Sequence, residues 1–214
     1  MKGLLRNNFY TVCANAKIFS GFMLLLGIFA VFLGSQSFLI SYVMIGIVGF
    51  SVNAVAVVKN EFTSKWGKYK LTLPVRRADI VKSYFINQMI WLLIGAVFAG
   101  IGVALSWVFH GSLFDYHIDI LTMFALGISI SFFLGAVFFP LFYLGGEERS
   151  EVFLVISLLS AVGIDLGIVT VINDLLEPGI VTMLTGAALL IVFSYAAFCL
   201  SFLVTVKIFS GKEY

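Results

Sequence analysis

The sequence has little charge and few cysteines. Only 11% of its 214 residues are charged and 61% are apolar, whereas soluble domains are about a quarter charged and about half apolar. A formal net charge of +2 is too small for a nucleic-acid-binding protein, which must neutralise many phosphates. The two cysteines, Cys13 and Cys199, form no CxxC pair, so we expect neither a disulfide scaffold nor a thiolate zinc site. The composition therefore indicates a membrane protein.

Motifs for catalysis and for nucleotide binding are also missing. Neither GxSxG nor HExxH occurs, and there is no GxxxxGK[ST] phosphate-binding loop. The two histidines, His110 and His117, lie near Asp115 and Asp119, but this spacing is more typical of a solvated loop than of a metal site. We therefore assign no catalytic residue and no metal ligand, and we expect the chain to bind no cofactor itself.

Six hydrophobic stretches are long enough, or nearly so, to cross a bilayer, which takes about 20 apolar residues. They run approximately over residues 18–37, 38–58, 84–109, 120–146, 152–172 and 180–206. What lies between them is too short for a soluble domain of about 50 residues. The sequence predicts an all-α integral membrane fold, with residues 1–214 as a single transmembrane domain.

A different pattern precedes the first stretch. Residues 2–16 have an apolar and a polar face at helical spacing, formed by Leu5, Phe9, Val12, Cys13 and Ala16 on one side and Asn7, Asn8, Thr11 and Asn15 on the other. This pattern predicts an amphipathic helix in the membrane interface, with a frayed tail as the alternative.

The basic residues indicate the orientation. All 13 lie on one side of the predicted topology, at Lys2, Arg6, Lys17, seven positions within residues 59–82, Arg149, Lys207 and Lys212. The opposite connections carry only acidic charges, at Asp115, Asp119, Asp174 and Glu177. Because basic loops stay inside the cell, we expect a multi-pass protein of the cell membrane with both termini cytoplasmic.

The longest polar stretch, residues 59–82, lies on that basic side. Pro74 cannot continue a helix, so the stretch should divide into one helical piece before Pro74 and another that begins near Arg76. The first piece has an apolar face that includes Trp66 and Tyr69. Anchoring to anionic membrane lipids would explain the basic residues, but the acidic residues and the proline favour a contact with a protein.

Two parts of the chain resemble a known family. The first comprises Glu61, Trp66, Tyr69, Leu73-Pro74-Val75-Arg76-Arg77, Ile80-Val81 and Ser83-Tyr84. It resembles the segment after the second span of ABC-2-type exporter permeases, most closely small six-span Gram-positive permeases related to exporters of phenol-soluble modulins and lantibiotic-type peptides. The stretch from Pro140 to Arg149 is similar to the end of their fourth span.

The resemblance implies a coupling helix that contacts a separate cytoplasmic ABC ATPase, which would bind ATP and Mg²⁺. It assigns this role to Glu61, Trp66, Tyr69, Leu73, Pro74, Arg76, Arg77 and Asp79, and a second, smaller contact to Glu147, Glu148 and Arg149. It also implies re-entrant helices between spans five and six. Six spans are too few to enclose a wide pathway, so a second copy or a sister permease should complete it. The expected function is ATP-driven export of peptides or other amphipathic molecules.

Asp165 is the only charged residue within a predicted span. It could cap a half-helix of the re-entrant kind, line an outer vestibule, or bind a proton or cation. Two other functions are open. A secondary transporter should have matched repeats and charges near the midplane, whereas this chain has one off-centre aspartate. The other alternative is a non-transporting membrane partner in a sensor or assembly complex, against which only the resemblance argues.

Overall fold

Six long helices make up most of the computed structural model, which describes residues 2–63, 76–111, 114, 117–175, 177 and 179–211. They are α1 (Lys2–Leu33), α2 (Gln36–Thr63), α3 (Arg77–His110), α4 (His117–Gly145), α5 (Ser150–Leu175) and α6 (Ile180–Gly211), with a short 3₁₀ helix at Glu147–Arg149. All regular structure in these ranges is helical. Each of the six is long and apolar enough to cross a membrane. The predicted all-α fold with six spans is confirmed.

Helices α2 and α4 form the centre of the bundle. In their most hydrophobic parts 50% and 56% of the residues are buried, against 17% in α1 and in α5. Helix α2 packs on α1 and α3, α4 packs on α5 and α6, and the two central helices also pack on each other. The outer faces of α1 and α5 consist of exposed apolar side chains, such as Phe32 and Leu159. A membrane or another protein must cover them.

The predicted amphipathic helix over residues 2–16 forms the first part of α1, which continues without interruption from Lys2 to Leu33. Its location in the membrane interface stays a prediction. Val12 is buried, as its place on the apolar face predicts, but so is Asn8 from the polar face. The Asn8 side chain donates a hydrogen bond of 2.9 Å to the Ser83 hydroxyl of α3. The Phe9 ring stacks on Trp91, 5.1 Å between centroids. These contacts pack the N-terminal part of α1 against α3.

The predicted re-entrant helices between spans five and six are not confirmed. Helix α5 continues to Leu175 and α6 begins at Ile180. A single helical turn takes 3.6 residues, so the four positions in between cannot hold two further helices. One continuous apolar helix also satisfies its own backbone hydrogen bonds in hydrocarbon, where no water is present.

Helix α4 continues through Pro140, although proline has no N–H to donate to the carbonyl of residue 136. The hydroxyl of Ser201 on α6 donates a hydrogen bond of 2.7 Å to that carbonyl, on Ala136. In a hydrocarbon environment an unpaired carbonyl has no water to bind, so a neighbouring side chain has to satisfy it. Ser201 therefore completes the backbone bonding of α4 and joins it to α6.

Replacing Ser201 by alanine is expected to destabilise the protein by about 0.6–1.7 kcal/mol, between the average and the largest value measured for hydrogen bonds between membrane helices. The loss should be smaller in a Pro140→Ala background, because the restored N–H can bind the Ala136 carbonyl. Thermal unfolding of the two single variants and the double variant in detergent gives the coupling. Strictly additive effects would contradict this role of Ser201.

Candidate functional site

One end of the bundle gathers most of the positive charge of the described residues. The start of α1, the end of α2, the starts of α3 and α5 and the end of α6 all lie there. We call it the basic end; it carries Lys2, Arg6, Lys59, Arg76, Arg77, Lys82, Arg149 and Lys207. Of the residues that sequence reasoning assigned to ATPase contacts, this end carries Arg76, Arg77, Asp79, Glu148 and Arg149.

The middle of the predicted coupling segment lies outside the described residues. This applies to Trp66, Tyr69, Leu73 and Pro74. Glu61 belongs to the last turn of α2, which ends at Thr63, but its side chain is also outside what the structure describes. The roles assigned to these five residues stay predictions.

The second half of the segment is described from Arg76 onward. Arg76 is exposed and extended, with φ −67° and ψ 140°, and α3 begins at the next residue. The predicted helical piece beginning near Arg76 is therefore confirmed. Asp79 is half-buried in the first turn of α3, where a carboxylate interacts favourably with the helix N-terminus.

Arg77 connects α3 to the last turn of α6. Its Nη1 donates hydrogen bonds to the carbonyl oxygens of Phe209, at 3.2 Å, and Ser210, at 3.1 Å. Its guanidinium carbon also lies 5.8 Å from the centroid of the Phe209 ring. The last four carbonyls of a helix have no partner within the helix, and a cation interacts favourably with that end. Sequence reasoning selected Arg77 but could not identify this contact.

Lys59 connects α2 to the first turn of α5. Its Nζ lies 2.5 Å from Oε1 of Glu151, with the side chains 35% and 84% exposed. An exposed ion pair of this kind contributes at most about 1 kcal/mol. Sequence reasoning missed the pair: it placed both residues at the same side of the membrane, but nothing in the sequence shows that α2 and α5 meet there.

The predicted second contact, Glu147 to Arg149, forms the 3₁₀ helix between α4 and α5. It follows Gly146, whose φ of +82° is rarely adopted by other residues. It also packs against α2. Glu148 and Arg149 are exposed, and the side chain of Glu147 is not described. The structure thus brings this short segment next to the end of α2, where the longer segment starts.

A family comparison agrees with this architecture. The family model described as ABC-2 family transporter protein matches residues 3–210. The chain belongs to this family. It is thus a membrane-spanning permease component of the ABC transporter type, and permeases of this family work with an ATPase subunit. No curated protein and no solved structure matches the chain at a significant level. The resemblance to ABC-2-type permeases is confirmed, while its assignment to the modulin and lantibiotic group stays a prediction.

Asp165 of the permease lies in the middle of α5 and is 2% exposed. It caps no half-helix, so the predicted cap is wrong. Its Oδ1 lies 2.6 Å from the hydroxyl oxygen of Ser129 on α4. The side chain therefore bonds across the interface of these two helices.

A cavity of about 170 Å³ opens between α4, α5 and α6 at the end opposite the basic end. Polar side chains on its wall are Asp119, Thr122, Asn173 and Thr182. Asp165 is not part of the wall, so it does not line this vestibule; Val169, one helical turn away on α5, does. A second cavity of about 580 Å³ lies between α1, α2 and α3, and its wall is almost wholly apolar, with His110 at one end.

Proposed function

We propose that the permease is the transmembrane subunit of an ATP-driven exporter, and that residues 59–82 couple it to a separate cytoplasmic ATPase that binds ATP and Mg²⁺. One observation carries the proposal. Both ends of this segment are bonded to helices beyond α2 and α3: Lys59 to Glu151 of α5, and Arg77 to the last turn of α6.

These two contacts give the segment a mechanical role. A displacement of residues 60–76 by a partner would move the end of α2 and the start of α3 directly. Through Glu151 and the carbonyls of Phe209 and Ser210 it would also move α5 and α6. ATP-driven closure of the ATPase would then shift the helices between two arrangements of different affinity for cargo.

The charge distribution supports a cytoplasmic location of the basic end. None of the 13 Lys and Arg residues lies in the connections at the opposite end. Basic residues are retained on the cytoplasmic side of the cell membrane, so both termini and residues 59–82 would face a cytoplasmic ATPase.

The packed interior supports a pathway between two permeases. Large aromatic side chains that are at most 2% exposed fill the interior of the bundle: Phe50, Phe138, Phe139 and Phe142. The described helices therefore enclose no open route, and a second copy or a sister permease would complete one at its interface. The exposed apolar faces of α1 and α5 leave room for such a contact.

The apolar cavity between α1, α2 and α3 supports amphipathic cargo, including peptides. Its volume of about 580 Å³ lies within the range of about 300–1,000 Å³ that is typical of ligand sites. The Tyr42 hydroxyl beside it donates a hydrogen bond of 3.0 Å to the carbonyl of Phe98. This polar group is thus satisfied, and the site would accept an apolar side chain or an alkyl tail.

Reconstitution with the ATPase tests the proposed function. The permease should co-purify with an ABC ATPase from the cells that produce it, and proteoliposomes that contain both should move an amphipathic peptide only when ATP is supplied. An ATPase variant without its Walker lysine is the control, and it should abolish movement while still binding the permease. Movement that needs an ion gradient but no ATP would contradict the proposal and favour a secondary transporter.

Reversing the charges of the ion pair tests whether the end of α2 moves with α5. Lys59→Glu and Glu151→Lys should each lower transport per ATP hydrolysed by about two- to fivefold, the effect of an exposed pair worth up to about 1 kcal/mol. The double variant should recover most of it. The control double variant combines Lys59→Glu with Glu148→Lys, at an exposed residue near Glu151, and it should not recover transport. Equal recovery in the two double variants would show that only net charge matters.

A further inference from the structure

The hydrogen bonds around Asp165 indicate its protonation state. The Ser129 hydroxyl oxygen lies 2.6 Å from Oδ1 of Asp165 and 2.9 Å from the carbonyl oxygen of Leu126. A hydroxyl group carries one proton and can donate it to one acceptor. If Asp165 were an ionised carboxylate, its Oδ1 and the Leu126 carbonyl oxygen would compete for this proton. One of the two close oxygen–oxygen contacts would then contain no proton.

Charged neighbours do not favour the ionised form either. Three helices pack around α5, and their membrane-spanning parts include no Lys, Arg, Asp or Glu: residues 36–58 of α2, 120–145 of α4 and 180–206 of α6. The charged residues nearest to Asp165 along α4 and α5 are Asp119 and Asp174, and both are acidic. An unpaired charge inside a membrane helix is costly, so the neutral acid is the favoured form.

We propose that Asp165 binds a proton inside the membrane and uses it to join α5 to α4. The Asp165 carboxyl group donates its proton to the Ser129 hydroxyl, and this hydroxyl donates its own proton to the Leu126 carbonyl. Each of the two short contacts then contains one proton, and no charge is buried. This site is independent of the ATPase contact at the basic end.

The cavity at the opposite end gives the proton an exchange route. Its wall includes Leu126 and Val169, and Val169 lies four residues, or about 6 Å along the helix, from Asp165. Leu126, whose carbonyl accepts the bond from Ser129, is thus one of the residues on the cavity wall. Water in the cavity can therefore exchange protons with Asp165 after a small opening.

Infrared spectroscopy of the permease in lipid at neutral pH tests the proposal. We expect a C=O absorption of a protonated carboxylic acid in the wild-type protein. It should be absent from Asp165→Asn and present in Asp174→Asn, which changes an exposed carboxyl group on the same helix. In D₂O the absorption should shift as the proton exchanges. A missing absorption, or one that persists in Asp165→Asn, would overturn the protonated state, and an absorption that does not shift in D₂O would overturn the exchange route.

A second pair of variants keeps the test valid if Asp165→Asn does not fold. Ser129→Ala removes the acceptor of the carboxyl proton, so the absorption should persist at a changed frequency, and Tm should fall by about 2–4 °C. Ser160→Ala changes a half-buried hydroxyl of α5 whose hydrogen bonds go to its own helix, and it should change neither. An unchanged frequency in Ser129→Ala would overturn the bond to Ser129.

Discussion

Replacing Arg77 by alanine is expected to lower transport per ATP hydrolysed by about tenfold, a coupling change within the usual range of 1–3 kcal/mol. ATP hydrolysis itself should continue. The substitution removes both hydrogen bonds to the last turn of α6 and the contact with the Phe209 ring. A displacement of the coupling segment would then reach α6 only through the remaining packing of α3 on α6. Transport and hydrolysis measured on the same proteoliposomes give the ratio.

Two further variants show whether charge or bonding geometry matters. Arg77→Lys retains the positive charge but replaces the planar guanidinium, so it should recover only part of the coupling. Lys82→Ala removes an exposed positive charge from the next turns of the same helix and should have little effect. If Lys82→Ala were as severe as Arg77→Ala, the effect would come from the electrostatic field of the basic end.

Replacing Gly95 by alanine is expected to destabilise the bundle by about 1–3 kcal/mol, as overpacking does in close-packed cores. A Cβ atom at Gly95 would lie 2.7 Å from the carbonyl oxygen of Gly46 and 3.1 Å from the Cα of Ile47. Both atoms belong to the backbone of α2 and cannot rotate away, so α2 and α3 would have to separate. Small residues at crossings let membrane helices approach this closely.

Gly100→Ala provides the matched control on the same helix, because a Cβ atom there meets nothing within 4 Å. It should leave stability unchanged or raise it slightly, since alanine has the higher helix propensity. Thermal unfolding in detergent, followed by tryptophan fluorescence, compares the two variants. Equal Tm values for Gly95→Ala and Gly100→Ala would contradict the close approach of α2 and α3.

The six helices could be predicted because each is a continuous apolar run bounded by polar residues. The path of the N-terminal residues could not, because Asn8 has the character of a solvent-facing residue and its partner, Ser83, lies 75 positions away. The re-entrant helices came from a resemblance and not from the residues. The largely apolar character of residues 166–175 is compatible with a single continuous helix, which the structure has.

At the site, local signals succeeded and distant contacts did not. The break at Pro74 predicted a helix that begins near Arg76, because proline restricts the residues beside it. The partners of Arg77 are backbone carbonyls of α6, which no sequence pattern distinguishes from other carbonyls. Asp165 was found by its charge alone, whereas its partner Ser129 is one of many serines.

The most direct test of the account is site-specific photo-crosslinking from Arg76, the exposed residue at the start of α3. A photoreactive amino acid at this position, in cells that express the complete transporter, should form an adduct with the ATPase subunit. The same amino acid at Val181, exposed at the opposite end of the bundle, should form none. The account would be contradicted if neither position formed an adduct while ATP-driven export continued. It would also be contradicted if an impermeant thiol reagent added outside intact cells labelled Arg76→Cys.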